Sequence, residues 1–448
     1  MKKIICILFT LIIVHDSFSQ DTLAGKLDEV VTTYFKYNKF NGSVLVAKGG
    51  KILLRKGYGF SNVKNQSLND AQTIFQVGSI TKEFTAAIIL RLAKQRKLKL
   101  SDPLSKYFTG FPKGDSITIK NLLTQTSGIF NYTDINDIWI QSGLPTGERN
   151  VLDTIMKKPL LFSPGEKFSY SNSNYMLLAY IIQKVTHRSY ESVVREQIFQ
   201  PLGMSQSGFD FQDGKIKNKA TGYWTLSSAR VTEGPISDSS EFIGSGEIYS
   251  TVGDLYKWHV ALQQGKILSG AVQKEAYRAY KGQYGYGWEL DMIYGKKIVG
   301  HGGRMFGFES KMIRIPADDL FVILLNNNSD KPFLNLISRK IMAVLYHQPY
   351  TLPEQPVILP EQELKIFTGS YGADEHHIFE VRLINGHLFG IESPENMLEL
   401  HPLKNERFRF MDGEGEEGVF EFGKDEKGNI TGFTTVNPRG MKITLKKR

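Results

Sequence analysis

Three short motifs, Ser79-Ile80-Thr81-Lys82, Tyr170-Ser171-Asn172 and His301-Gly302-Gly303, lie far apart along the chain. If they act together, the fold must return three distant stretches to one crevice. Serine is a weak nucleophile until a neighbouring base takes its proton, and a lysine three residues along a helix sits one turn away on the same face. Ser79 and Lys82 meet that condition. Gln76-Val77-Gly78 reads as a turn, and Phe84, Ala87, Ile88 and Leu92 recur at helical spacing after it. Ser79 is therefore expected at a helix N-terminus, where unpaired N–H groups and the positive dipole end favour developing negative charge.

Alone, Ser-x-x-Lys recurs by chance and otherwise describes a solvated helix face. The surrounding text adds weight: Leu122-Leu123-Thr124-Gln125-Thr126-Ser127-Gly128, Phe162-Ser163-Pro164-Gly165 before Tyr170, and Val299-Gly300 before His301. Over about residues 25 to 345 this pattern resembles the penicillin-recognising serine hydrolases, which include class C β-lactamases, D-alanyl-D-alanine carboxypeptidases and related esterases.

The resemblance implies a role for each motif residue. Ser79 would attack a carbonyl to give an acyl-enzyme, with its own N–H and that of Arg304 forming the oxyanion hole. Lys82 would be its base and Tyr170 the proton relay to leaving group and water. To act as a phenolate at neutral pH, Tyr170 would need nearby cations. Asn172, read as extended and pointing the same way as Tyr170, would offer its amide to the substrate's acyl side chain. His301 would keep a first-position donor, and Gly302 would lack the hydroxyl that a threonine gives to a substrate carboxylate. Gly303 would allow close backbone approach, and Arg304 could offer its fork to a carboxylate. Strong β-lactamase turnover is not expected.

Lys2 and Lys3, the apolar run Ile4 to Val14, and Ser17 and Ser19 read as a cleaved secretory leader. That run is too short for a membrane span, which needs about 20 residues, and no later stretch approaches it. A periplasmic or secreted mature chain is expected. The sole cysteine, Cys6, lies in the leader, which excludes disulfides, thiol catalysis and cysteine-based zinc sites from the mature protein. Losing two lysines and Asp16 with the leader takes the formal charge from +9 to +8. The basic run Lys94 to Lys99 follows an apolar-periodic helix and suits its C-terminal dipole end. No base-stacking aromatics accompany it, so nucleic acid is not an expected partner.

The fold class expected is α+β: an antiparallel sheet flanked by helices with an all-helical insertion, then a small all-β barrel. A helix period covers Thr22 to Tyr37, and Ser43 to Lys48 and Lys51 to Lys56 form a hairpin at Gly49-Gly50. Helices and loops follow to about residue 270, including Tyr175 to Val185. Strands at Lys297–Gly303, Phe308–Ile315 and Leu320–Leu325 and a helix from Lys331 to Tyr346 complete the first domain. The boundaries are a leader at 1–19, a hydrolase domain at 20–347, a Pro-rich linker at 348–361 and a lipocalin-like barrel at 362–448. Short strands such as Ile378–Ile384, His387–Ile391, Phe408–Met411, Val419–Phe422, Gly432–Val436 and Lys442–Leu445 are expected in the barrel, spaced by Asn385-Gly386, Asp412-Gly413 and Lys427-Gly428-Asn429.

No Gly-x-Ser-x-Gly elbow, phosphate-cradling Gly-x-x-x-x-Gly-Lys loop or His-Glu-x-x-His zinc motif is present, and the adjacent His376-His377 would not converge on one ion from a strand. No cofactor or metal is expected. The leading expectation is an exported serine hydrolase acting on a D-alanyl peptide, a β-lactam or a related ester or amide. The competing one is a penicillin-binding-like sensor or scaffold with little turnover that meets cell-wall fragments. Pocket shape would depend on the insertion and on loops such as Tyr223 to Gly246.

Overall fold

The computed structural model describes residues 22–134, 147–236, 238–329, 333–373, 378–391, 397–411, 417–436 and 441–448. The leader, Cys6, His376-His377 and the turn at Asp412-Gly413 lie outside them. A six-stranded antiparallel sheet forms the centre. Strands β1 (Gly42–Lys48) and β2 (Lys51–Tyr58) make the expected hairpin, and its turn residues Gly49 and Gly50 hold φ of +57 and +72, which favours glycine. Strands β3 (Glu289–Ile293), β4 (Lys296–Met305), β5 (Phe308–Ile315) and β6 (Leu320–Asn326) follow, giving the order β2-β1-β6-β5-β4-β3. β1 and β6 pair antiparallel with Val44 opposite Leu324, so the early hairpin and the late meander close one sheet.

Both faces of this sheet are covered, and the period of two sorts its side chains between two cores. Leu320, Val322 and Leu324 join α1 (Leu23–Lys36), while Phe321, Ile323 and Leu325 face α2 (Thr81–Lys94), α3 (Asn172–Thr186) and α4 (Val252–Gln263). Helix α5 (Leu334–Leu345) packs beside α1 through Ile337 and Ile341. The insertion between β2 and β3 is not wholly helical. Three two-stranded ribbons tie its loops: Phe60–Asn62 with Ser67–Leu68, Phe75–Gln76 with Tyr249–Ser250, and Tyr223–Leu226 with Val231–Glu233. Strands this short carry no alternation that a sequence could display.

Residues 348–360 contain no helix or strand, yet they are packed. The Tyr37 hydroxyl donates to the Glu354 carbonyl, Gln355 Nε2 donates to Thr33 Oγ1 at 2.7 Å, and Val357 N–H donates to the Pro402 carbonyl at 2.8 Å. Beyond them, eight antiparallel strands from Gly369–Gly372 to Lys442–Lys447 form a closed barrel, sealed where Tyr371 pairs with Lys447. Gly369–Gly372 and Met397–Pro402 were not among the expected strands. Closure removes exposed sheet edges, and an eight-stranded barrel is narrow enough to fill with side chains, here Phe379, Phe408, Phe420, Phe422 and Phe433.

Candidate active site

Ser79 lies in the single tight turn Gly78–Ile80 that runs directly into α2, at the N-terminal end the sequence pattern predicts. Gly78 has φ +55, and a Cβ there would lie 2.7 Å from the Arg304 backbone nitrogen. Both conditions demand glycine. One turn on, fully buried Lys82 places Nζ 2.9 Å from Ser79 Oγ, 2.8 Å from Asn172 Oδ1 and 2.7 Å from the Ser245 carbonyl. Burial drives the Lys82 pKa well below the ordinary 10.5, against the opposing pull of Glu247 and Glu289. A neutral amine has two N–H groups and one lone pair. In that form, with the N–H groups on Asn172 and Ser245, the lone pair would face the serine.

The Tyr170 hydroxyl donates to Ser79 Oγ at 2.8 Å, and Lys82 Nζ stands 4.8 Å from the centre of its ring. Burial lifts the Tyr170 pKa well above 10, with the Ser79 bond opposing, so the phenol keeps its proton. The phenolate that nearby cations would have to hold is not favoured, because burial works against the charged form of Lys82 as well. Asn172 differs from its sequence reading. It is the first residue of α3 rather than part of an extended stretch, and its carboxamide is engaged, with Oδ1 on Lys82 and Nδ2 on Thr133 Oγ1 at 3.2 Å.

The third motif lies on β4. Residues paired across an antiparallel ladder share a face. His301 pairs with Met312 and Gly303 with Ser310, on the α2 side, whereas Gly302 pairs with Lys311 and Arg304 with Glu309, on the α5 side. His301 is buried, with Nε2 3.1 Å from the Tyr284 hydroxyl, and its ring centre is 6.1 Å from that of Tyr170. Burial lowers its pKa although Glu289 pulls the other way. A Cβ on Gly303 would lie 2.0 Å from the Val77 carbonyl oxygen and 3.0 Å from Ser79 N, whereas one on Gly302 would meet nothing nearer than 3.7 Å. The Gly302 N–H donates to Glu289 Oε2 at 3.2 Å, across the open edge of β4. Backbone groups alternate direction along a strand, so the Arg304 N–H, two residues on, points to that edge as well. The Arg304 side chain donates through Nη2 to the Ser329 carbonyl at 3.1 Å.

Residues 27–345 match the model of the Beta-lactamase family. The chain belongs to the β-lactamase family of serine hydrolases. It is 33% identical to the candidate penicillin-binding protein PbpX of Bacillus subtilis, over 71% of this chain and 78% of that one. Penicillin-binding protein 4* of the same organism is 28% identical, over 89% of this chain and 94% of its own length. The octameric penicillin-binding protein homologue from Pyrococcus abyssi superposes with a TM-score of 0.69 at 27% identity, covering 94% of this chain and 99% of that one.

In this β-lactamase-family chain, a cavity of about 370 Å³ opens from Ser79 and Tyr170 over β4, with Arg304, Glu309 and Lys311 on its far side. Four further residues shape the site. Ser245 supplies a carbonyl to Lys82. Burial pushes the Glu247 carboxyl up to about 8, although it accepts the N–H groups of Gly244 and Gly246. Tyr284 bonds His301. Glu289 is half-buried, and its partial loss of water opposes ionisation, but His301 and Lys311 outweigh that and hold its pKa below the usual carboxylate value. The glycine alternation in Gly244-Ser245-Gly246-Glu247 and Tyr284-Gly285-Tyr286-Gly287 is the signal that could have drawn attention to three of them, though not to the parts they play. Among the described residues, no three His, Cys, Asp or Glu side chains are grouped to hold a metal, and no helix is long and apolar enough to cross a membrane.

Proposed function

We propose that the chain is an exported serine hydrolase that opens amide or ester bonds through a Ser79 acyl-enzyme. The observation that carries this reading is Ser79 Oγ held 2.9 Å from Lys82 Nζ and 2.8 Å from the Tyr170 hydroxyl. In acylation, Oγ bonds to the substrate carbonyl carbon while its proton passes to the Lys82 lone pair. Charge gathers on the carbonyl oxygen, which the Ser79 and Arg304 N–H groups would receive. As the carbon to leaving-group bond breaks, Tyr170 gives its proton to the departing nitrogen or oxygen and takes the one held by Lys82. Deacylation runs the relay backwards, with water as the nucleophile. Asn172 orients Lys82 rather than the substrate.

The penicillin-binding names of the two Bacillus subtilis relatives support a β-lactam-type ligand, and D-alanyl peptides, with cell-wall fragments as their source, belong to the same proposal. The bare Gly302 argues for weak β-lactam turnover. The test is a panel of D-alanyl peptides, a chromogenic cephalosporin, a labelled penicillin and short-chain esters, run beside Ser79→Ala. Turnover of at least one substrate, reduced to background in Ser79→Ala, is expected. Retention of full activity by that variant would remove Ser79 as nucleophile, and a stable penicillin adduct without turnover would favour a sensor.

A further inference from the structure

Beyond Gly300, the last residue of β4 paired with β3, the strand has a neighbour on one side only. Gly302 and Gly303 bring no side chains to anchor it. The part of β4 that faces Ser79 is therefore held by its pairing with β5 and by whatever grips the turn Phe306-Gly307, where that hairpin closes. That turn is gripped by the ribbon Tyr223–Glu233. Tyr223 N–H reaches the Gly307 carbonyl at 3.2 Å, and Cβ atoms placed on Gly222 or Gly234 would each lie 2.8 Å from Phe306 backbone atoms. Ser329 links the same pieces, its N–H on the Tyr223 carbonyl at 2.9 Å and its carbonyl on Arg304 Nη2.

The far end of this ribbon meets the barrel. Ser228 Oγ donates to Glu399 Oε1 at 2.6 Å, and Asn385 Nδ2 donates to the Ser228 carbonyl at 3.0 Å. Glu399 is only 7% exposed, takes Asn38 Nδ2 at 2.9 Å on its other oxygen, and has His387 Nδ1 at 3.2 Å. Burial opposes its ionisation, but the bonds from His387, Ser228 and Asn38 and the field of His401 prevail, so it is a carboxylate with pKa about 2. A buried ion with this many partners fixes the ribbon tip more firmly than an exposed pair would.

We infer that Glu399 is a positioning residue: through Ser228 and the Tyr223–Glu233 ribbon, the barrel fixes the Phe306-Gly307 turn and so the Gly303-Arg304 stretch beside Ser79. The inference rests on the hydrolase reading above, in which that stretch completes the oxyanion hole. A misplacement of about 1 Å can cost roughly 10² in rate, so loosening the tip is expected to lower turnover without removing it.

The test compares Glu399→Ala, Ser228→Ala and their double variant with Glu354→Gln, which takes the charge out of the Arg407–Glu354 contact of 2.8 Å elsewhere between barrel and linker. The expected result is a fall of about tenfold in kcat, with KM within about twofold, in Glu399→Ala and Ser228→Ala, the double variant being no worse than the single ones. Glu399→Gln, which keeps an oxygen for Ser228, is expected to recover most of the rate, and Glu354→Gln to change little. Amide exchange over residues 302–308 should quicken in Glu399→Ala, Ser228→Ala and their double variant, and not in Glu354→Gln. Unchanged kcat and exchange in Glu399→Ala would overturn the inference, as would an equal loss in Glu354→Gln. Ser228→Ala removes a single hydroxyl and serves if Glu399→Ala does not fold. Exchange needs no turnover, so an inactive wild type would end the hydrolase reading and leave exchange to decide the clamp.

Discussion

Two adjacent glycines on β4 have opposite reasons for being there. Gly303 is imposed by packing, since a methyl group would lie 2.0 Å from the Val77 carbonyl oxygen and force β4 away from Ser79. Gly302 faces open space, with 3.7 Å to the nearest heavy atom, so its missing side chain is a matter of the cleft rather than of the fold. Gly303→Ala is therefore expected to lose about 10² or more in kcat/KM, because the gap between oxyanion donors and nucleophile would widen by an appreciable fraction of an ångström. Gly302→Ala should stay within a few-fold of wild type. Parallel kinetics on the two variants check this, and equal losses would mean that the separation of the two faces of β4 is misplaced.

Helix α2 is buried on nearly every side, which brings a carboxylate as well as an amine out of water. Glu83, next to Lys82, accepts from Trp258 Nε1 at 3.0 Å, and burial raises its pKa from 4.5 to about 8. Its folded form keeps a proton that the unfolded chain gives up near pH 4.5. Between that value and about 8 the unfolded state binds fewer protons, and stability falls as pH rises. The difference in melting temperature between Glu83→Gln and wild type should thus grow in favour of the variant from pH 5 to 8, as thermal denaturation in matched buffers would reveal; a constant difference would contradict the assignment. The helix itself was legible, because Phe84, Ala87, Ile88 and Leu92 keep its period and Gly78 marks its start. The start of α3 was missed by three residues, although Ser171 at the capping position was an available sign. Strand β3 and the parts played by Tyr284 and Glu289 were not legible. They arise from the pairing of Glu289 with Gly300 and from the reach of Tyr284 to His301, which no local pattern encodes.

Among the described residues there are three apolar cores, two against the sheet and one inside the barrel, and the barrel meets the rest largely through polar groups such as Glu399, Asn385 and Arg407. Met411 is the barrel's buried contribution to the core of α1 and α5. Such a joint transmits position while doing little to make the two parts melt together. Phe433 is the hub of the barrel core, its ring centre 4.4 Å from Phe420, 5.2 Å from Tyr371 and 5.3 Å from Phe422. Phe433→Ala should cost about 3–5 kcal/mol, a large share of the roughly 5–15 kcal/mol that holds a domain folded. Calorimetry of that variant is expected to show an early transition for the barrel, split from a later one near the wild-type position. If the barrel clamps β4, hydrolysis followed through the same temperature ramp should drop with the early transition, before the sheet and its helices unfold. A single transition moved bodily downward would instead make the barrel and the hydrolase one cooperative unit, with the apolar contact at Met411 outweighing the polar joint.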